Sequence, residues 1–368
     1  LSEFMRFENM RERQSNIELL RIIAMIGIVM HHFCVHGSFT FTPDITVNKI
    51  FLQFFSLFGK VGVAAFVIIT GYFMINAKFK LHKFAKLVGQ IWFYSLAMLG
   101  VALVLGLDTV TSTNIIKSLL PIGAMSWFGQ NFLVLYLLTP FINPIIHRLQ
   151  QNYLRLLLLI GLVIWFLTPT ILNLFPQLPH TTFGFKHIFS FVYFYTIGAY
   201  IRLYGESITQ KTGVIVTSIG LAGSTLGIIL VDILAMINPI YVTQTLYFSL
   251  KDYGVFLLTI GLGAFILFLK SNIAYRSWIN TVAATTFGIY LIHDNGLFAR
   301  YMWDHIFYTY QYYDSLLLPI YAVCVVAIVF VVGMSIDYLR IQFLEKPLMQ
   351  HITPILEQGQ EWVQRHLD

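Results

Sequence analysis

Five ionisable side chains fall within the first apolar stretch of the chain: Glu18, Arg21, His31, His32 and His36. Ionisable groups in a hydrocarbon layer are costly, so where they persist they mark candidate sites. From Arg21 to His32 is eleven steps along the sequence. At roughly 100° per residue eleven steps make about three turns plus 20°, which puts both side chains on one helix face, about 16 Å apart along the axis. Arginine offers a permanent forked charge that suits phosphate, and histidine is the natural general base near neutral pH. A phosphopantetheine arm has a similar length. The spacing would let Arg21 hold the phosphates of coenzyme A at the inner membrane surface while the thioester reaches His32 deep in the bilayer. There His32 is expected to deprotonate an attacking hydroxyl, a transient acyl carrier being its second possible role. His31 points about 100° away and is expected to support the fold or the base.

Blander readings of the same residues stand beside this one. Arg21 at the inner end of a helix can snorkel to headgroups or pair with Glu18. His32 and His36, at i and i+4, have the spacing of metal ligands, although no HExxH-type companion or acidic cluster accompanies them, and no metal is expected. His31, His32, His36 and His293 also offer axial positions for a haem.

The elements that must position these groups are transmembrane helices. Hydrophobic residues make up 57% of the 368 and charged residues only 11%, where soluble domains carry roughly a quarter. With a mean hydropathy of +0.74 there is too little polar surface for a water-soluble globule. Apolar runs of about 20 residues predict an all-α, polytopic transmembrane bundle of about ten spans. They fall at 17–38, 50–75, 84–106, 127–146, 153–173, 187–203, 212–236, 252–270, 280–299 and 315–338. Of the 23 Lys and Arg, all but Lys49, Lys60, Lys117, Lys186, Lys251 and Arg300 then lie at one face. The positive-inside rule assigns that face, and both termini, to the cytoplasm. The net charge of +6 is then topology and implies no nucleic-acid partner. Leu1–Phe4 precede Met5 and read as a cloning remnant within a cytoplasmic segment 1–16, and no signal peptide is expected after them. A transmembrane domain over 17–338 follows, then an amphipathic cytoplasmic tail over 339–368. On the outer side Tyr301, Trp303, Tyr308, Tyr310, Tyr312 and Tyr313 read as an interfacial aromatic belt. Cys34 and Cys324 suit neither a disulfide framework nor a Cys-based zinc site and read as small core residues.

Several stretches, in order, resemble acyltransferase family three. They are Arg21, ten residues and His32; Phe58-Gly-Lys-Val-Gly through Thr70-Gly71-Tyr72; Trp127-Phe through Leu135-Tyr136-Leu-Leu-Thr-Pro140; Phe191 through Gly198-Ala-Tyr200; Thr286-Phe-Gly-Ile-Tyr290-Leu-Ile-His293; and Glu345-Lys-Pro347. Together they cover 16–347. Members of that family are integral membrane enzymes that acylate cell-surface polysaccharides, peptidoglycan, antibiotics and related acceptors. The resemblance implies a membrane O-acyltransferase of a bacterial plasma membrane, with acetyl-CoA or another acyl-CoA as donor and a glycan or lipid-linked glycan as acceptor. The sequence departs from the family pattern in two places. Where some members have Arg-x-x-Arg, this chain has Lys83-Phe-Ala-Lys86, which keeps charge for a phosphate and loses bidentate geometry. Some members also append an extracytoplasmic transfer domain. The sequence here shows none, so either the membrane domain completes the transfer or a separate extracytoplasmic partner does.

His293 is expected in the outer half of its span, meeting the acceptor, with Tyr290 and Asp294 orienting it. Trp127, Gln130 or Asn131 is expected to supply an oxyanion donor. The competing functional class is a transporter or flippase of a lipid-linked glycan, against which the chain shows no half-to-half repeat.

Overall fold

The computed structural model describes residues 14–121, 126–184 and 186–367, with side chains to residue 362. Among the described residues every regular element is helical, as expected of an apolar chain whose backbone groups must be satisfied internally. The longer ones, in order, are α1 (Ser15–His36), α2 (Val47–Ser56), α3 (Phe58–Met74), α4 (Leu81–Val104), α5 (Ser112–Leu119), α6 (Trp127–Arg148), α7 (Gln151–Gly161), α8 (His187–Tyr204), α9 (Gln210–Ile237), α10 (Val255–Leu269), α11 (Ser277–Ala284), α12 (Thr286–His293), α13 (Leu318–Arg340) and α14 (Lys346–Leu367). Some helix starts carry the side-chain caps that orphan N–H groups need. Thr46 accepts from the Lys49 amide, Ser126 from Gly129 and Thr209 from Thr212.

Among the described residues eight helical stretches are long and apolar enough to cross a membrane, so the protein is an integral multi-pass membrane protein. The two other expected segments, 187–203 and 280–299, are helical but fall short of that measure for different reasons. Helix α8 is diluted by His187, Arg202 and four tyrosines between residues 193 and 204. The other is broken at Thr285, where the Thr285 hydroxyl donates to Val282 O at 2.7 Å and Thr286 to Ala283 O at 2.8 Å. Such hydroxyls compete with the helical ladder, and the segment becomes two half-helices, α11 and α12.

Helix α3 is the centre of the bundle, buried from Val61 to Gly71. It packs on α1 and α8 through glycines that admit backbone contact. A Cβ at Gly62 would meet Ala24 O at 2.6 Å, one at Gly71 would meet Tyr195 O at 2.0 Å, and one at Gly198 would meet Ile68 O at 2.0 Å. Asn16 donates to Phe268 O at 2.8 Å and ties the start of α1 to the end of α10. Helix α14 folds back on the start of α4, where the Leu81 amide donates to Gln360 Oε1 at 2.8 Å.

Two expectations need correcting. Trp303 is no belt residue: it is wholly buried, its ring edge-on to Phe33 with centroids 6.0 Å apart, whereas Tyr308 and Tyr310 are exposed. Cys34 is buried as expected, but Cys324 is exposed on the apolar outer surface of α13.

Candidate active site

Arg21 and His32 lie on one uninterrupted helix, α1, so their separation of about 16 Å follows from helical rise. A cavity of 890 Å³ runs beside that helix, lined from Gln14 to Ile28 on α1, a length of about 21 Å. Its inner end is polar, with Gln14, Glu18, Arg21, Lys83 and Arg202. Its far end is apolar and aromatic, with Ile28, Val63, Phe128, Phe287 and Tyr290, and Phe66 lines the wall beside Arg21. Arg21 Nε lies 3.8 Å from Glu18 Oε1, and the guanidinium carbon sits 5.9 Å from the centroid of the Phe66 ring. Lys83 is in the wall beside them. Lys86 is not: its ammonium lies 2.6 Å from Glu345 Oε1. Glu345 also accepts from Arg340 at 2.8 Å, and Arg340 and Tyr94 both bond the fully buried Asp337.

Past the far end of the cavity, α1 and α12 bring His32 and His293 together. Gly288 lets α12 come this close to α13, since a Cβ there would meet Asp337 Cγ at 2.1 Å. His293 Nδ1 lies 2.6 Å from Ile289 O. A carbonyl oxygen only accepts, so the proton is on Nδ1 of His293. With both rings neutral, His293 Nε2 is then the acceptor in its 2.9 Å contact with His32 Nδ1. His32 therefore carries its proton on Nδ1 and presents a lone pair at Nε2. That atom lies 3.6 Å from Asp294 Oδ1, and His36 Nε2 lies 3.2 Å from the same oxygen. The arrangement holds a base whose conjugate acid has a carboxylate waiting beside it. His32, His36 and Asp294 also place their ligand atoms within 4.8 Å of one another, and are the group among the described residues that could hold a divalent ion.

Tyr290 joins the two regions. It lines the cavity, and its ring centroid lies 6.3 Å from that of His32 and 6.1 Å from that of His293. Ser126 Oγ accepts from the Gly129 amide at 3.1 Å and donates to Tyr290 Oη at 3.2 Å, leaving the phenolic hydrogen for another acceptor. Ser126 was not singled out in the sequence; its position as helix cap immediately before Trp127 was the available signal.

The remaining expected residues are placed as follows. His31 Nδ1 donates to Ser56 O at 2.8 Å, and its ring lies where a Cβ on Gly59 would be. Trp127 lies under the Lys60 ammonium, 4.1 Å from the ring centroid, and beside His187 at 5.1 Å. Lys60 in turn pairs with Asp252 at 2.5 Å, and His187 bonds the same carboxylate. Gln130 lies on an exposed side of α6, and Asn131 donates to Trp127 O at 2.7 Å.

The profile of the acyltransferase domain of acyltransferase family 3 matches residues 14–338, nearly the whole chain. No curated protein and no solved structure matches it. The matched span begins at the polar mouth of the cavity and runs past His293 to the end of α13. The chain belongs to acyltransferase family 3 and is a membrane acyltransferase.

Proposed function

We propose that the protein moves an acyl group, acetyl in the simplest case, from acyl-CoA to a hydroxyl of a cell-surface glycan or related acceptor. The end of the bundle bearing Arg21, Lys83 and Arg202 faces the cytoplasm of a bacterial cell, and both termini lie on that side. Arg21 and Lys83 meet the donor phosphates, and the pantetheine arm extends along the apolar wall towards Tyr290. His32 Nε2 takes the proton of the acceptor hydroxyl as its oxygen attacks the thioester carbonyl. Tyr290 donates to the carbonyl oxygen as negative charge develops there. Collapse breaks the carbon–sulfur bond, and the imidazolium returns its proton to the leaving thiolate. The products are an ester and free coenzyme A, so atoms and charge balance. Asp294 stabilises the imidazolium in between, and His293 holds the ring in the tautomer that can act.

The observation that carries this reading is the His32–His293 contact of 2.9 Å at the far end of a cavity that is cationic at one end and apolar at the other.

Two measurements test it. Ligand bound to the folded state alone stabilises by RT ln(1 + [L]/Kd), about 2.7 kcal/mol at a hundredfold excess over Kd. Acetyl-CoA is expected to raise the Tm of the purified protein, and Arg21→Ala to lose that shift. His32→Ala is expected to abolish acyl transfer in a protein that still inserts and melts cooperatively. Normal acylation by that variant would overturn the mechanism.

A further inference from the structure

A second cavity, of 770 Å³, adjoins the mouth of the first, and Gln14 and Arg202 stand in the walls of both. It is built from the ends of α1, α3, α8 and α10 and the segment leading into α11, and its walls are polar. Lys270, Asn272, Tyr275, Asn76 and Tyr72 face it together with Arg202 and one carboxylate, Glu206. Arg202 is fixed at the junction, its Nη1 donating to Tyr72 Oη at 3.1 Å and its guanidinium carbon 5.0 Å from the centroid of that ring. Among the described residues no carboxylate lies within ion-pair distance of the Lys270 ammonium.

The first cavity accounts for the acyl group, the pantetheine arm and, at Arg21 and Lys83, the near side of the diphosphate, and leaves the rest of the donor without a place. What remains of coenzyme A is a purine, a ribose, the far side of the diphosphate and a 3′-phosphate. Those groups call for an aromatic face, amide partners and two centres of positive charge, which this cavity supplies at one point of entry. We propose that it is the subsite for the 3′-phosphoadenosine half of the donor, with Arg202 at the diphosphate where the two cavities meet and Lys270 at the 3′-phosphate. The inference rests on the acyl-CoA reading above and sharpens it. The enzyme uses free acyl-CoA, because a thioester carried on a protein-bound phosphopantetheine would leave this cavity empty and bring a bulky carrier against its rim.

The test is a binding cycle with coenzyme A and 3′-dephospho-CoA on the purified full chain, wild type against Lys270→Ala, with Lys270→Arg as the conservative control. A charge-assisted hydrogen bond predicts that removing the 3′-phosphate weakens wild-type binding by roughly 10- to 100-fold. Lys270→Ala should weaken coenzyme A by about the same factor, leave dephospho-CoA where it was, and be largely rescued by Lys270→Arg. Equal loss for both ligands, or no loss for either, overturns the nucleotide subsite and leaves the donor reading standing. No binding of coenzyme A to the wild type overturns both. A lipid headgroup is the other source of phosphate for Lys270. If anionic lipid in nanodiscs competes with coenzyme A in the wild type and not in Lys270→Ala, while dephospho-CoA binds the wild type as tightly as coenzyme A, the cavity is a lipid site and the proposal falls.

Discussion

Replacing His293 by alanine tests the tautomer argument without touching the proposed base. In the native arrangement the Nδ1–H of His32 has an acceptor 2.9 Å away in His293 Nε2, while Nε2 of His32 has only Asp294 Oδ1 at 3.6 Å. His32 is 7% exposed and His293 1% exposed, so water does not readily replace a lost partner. Without His293, a proton on Nδ1 is a buried unsatisfied donor, costing about 1–3 kcal/mol. The ring then favours the proton on Nε2, directed at Asp294, which is the form that cannot accept a proton from a hydroxyl. At about 1.36 kcal/mol per tenfold, the competent tautomer falls by roughly 5- to 150-fold, and kcat with it. His32→Ala should cost more, since a general base contributes about 10²- to 10⁴-fold. His293→Gln should recover part of the loss, because its amide oxygen can accept from His32 Nδ1. The assay is transfer of a labelled acyl group to a saturating acceptor, with the KM for the donor read alongside. A His293→Ala enzyme within twofold of wild type would refute the tautomer reasoning, and so would equal losses in the alanine and glutamine variants.

Three further outcomes follow from packing and charge. Gly71→Ala places a methyl 2.0 Å from Tyr195 O, so α3 and α8 must part; overpacking costs typically about 1–3 kcal/mol, and Tm should fall even with donor present. Gly100, with open space around it, is the control, and Gly100→Ala should leave Tm unchanged or raised. Asp337→Ala leaves Arg340, itself 7% exposed, with Glu345 alone and removes the partner of Tyr94. Breaking a buried pair costs about 3–5 kcal/mol, which thermal melts would register as a large drop, whereas an unchanged Tm would show the network to be dispensable. Lys60→Met leaves the buried Asp252 carboxylate with His187 alone and takes the cation from the face of Trp127; it should lower Tm, with Lys60→Arg restoring most of the difference.

What the sequence disclosed about the site was local. Arg21 and His32 share a face because one helix carries both, and helical periodicity is readable from spacing alone. The partnership of His32 with His293 joins residues on α1 and α12, and no periodicity predicts which helices touch. Lys86 shows the same limit from the other side. It was expected at a phosphate from its place beside Lys83, yet Glu345, distant in sequence, lies 2.6 Å from its ammonium. Trp303 was read from composition as a belt residue, since tryptophan in an outer connection usually anchors at the interface. The connection instead turns inward and buries it on Phe33. The interruption at Thr285 went unseen because threonine is tolerated within helices, and only its hydroxyl's bond to Val282 O shows that the ladder gives way there.

The packing of α1, α3 and α8 also bears on how an acyl group would cross the bilayer. Alternating access would require these helices to slide or part. Their contacts run backbone to backbone at Gly62, Gly71 and Gly198, where small displacements forfeit close packing that nothing else replaces. On the proposed reading no such motion is needed. The donor's own arm lies along a cavity lined over about 21 Å of α1, so the thioester reaches the level of Tyr290 while its phosphates stay at the inner end. The protein then has to hold still rather than move. This explains why the centre of the bundle is built from glycine contacts and a fixed pair of histidines. A hinge there would loosen the tautomer on which the proposed chemistry depends.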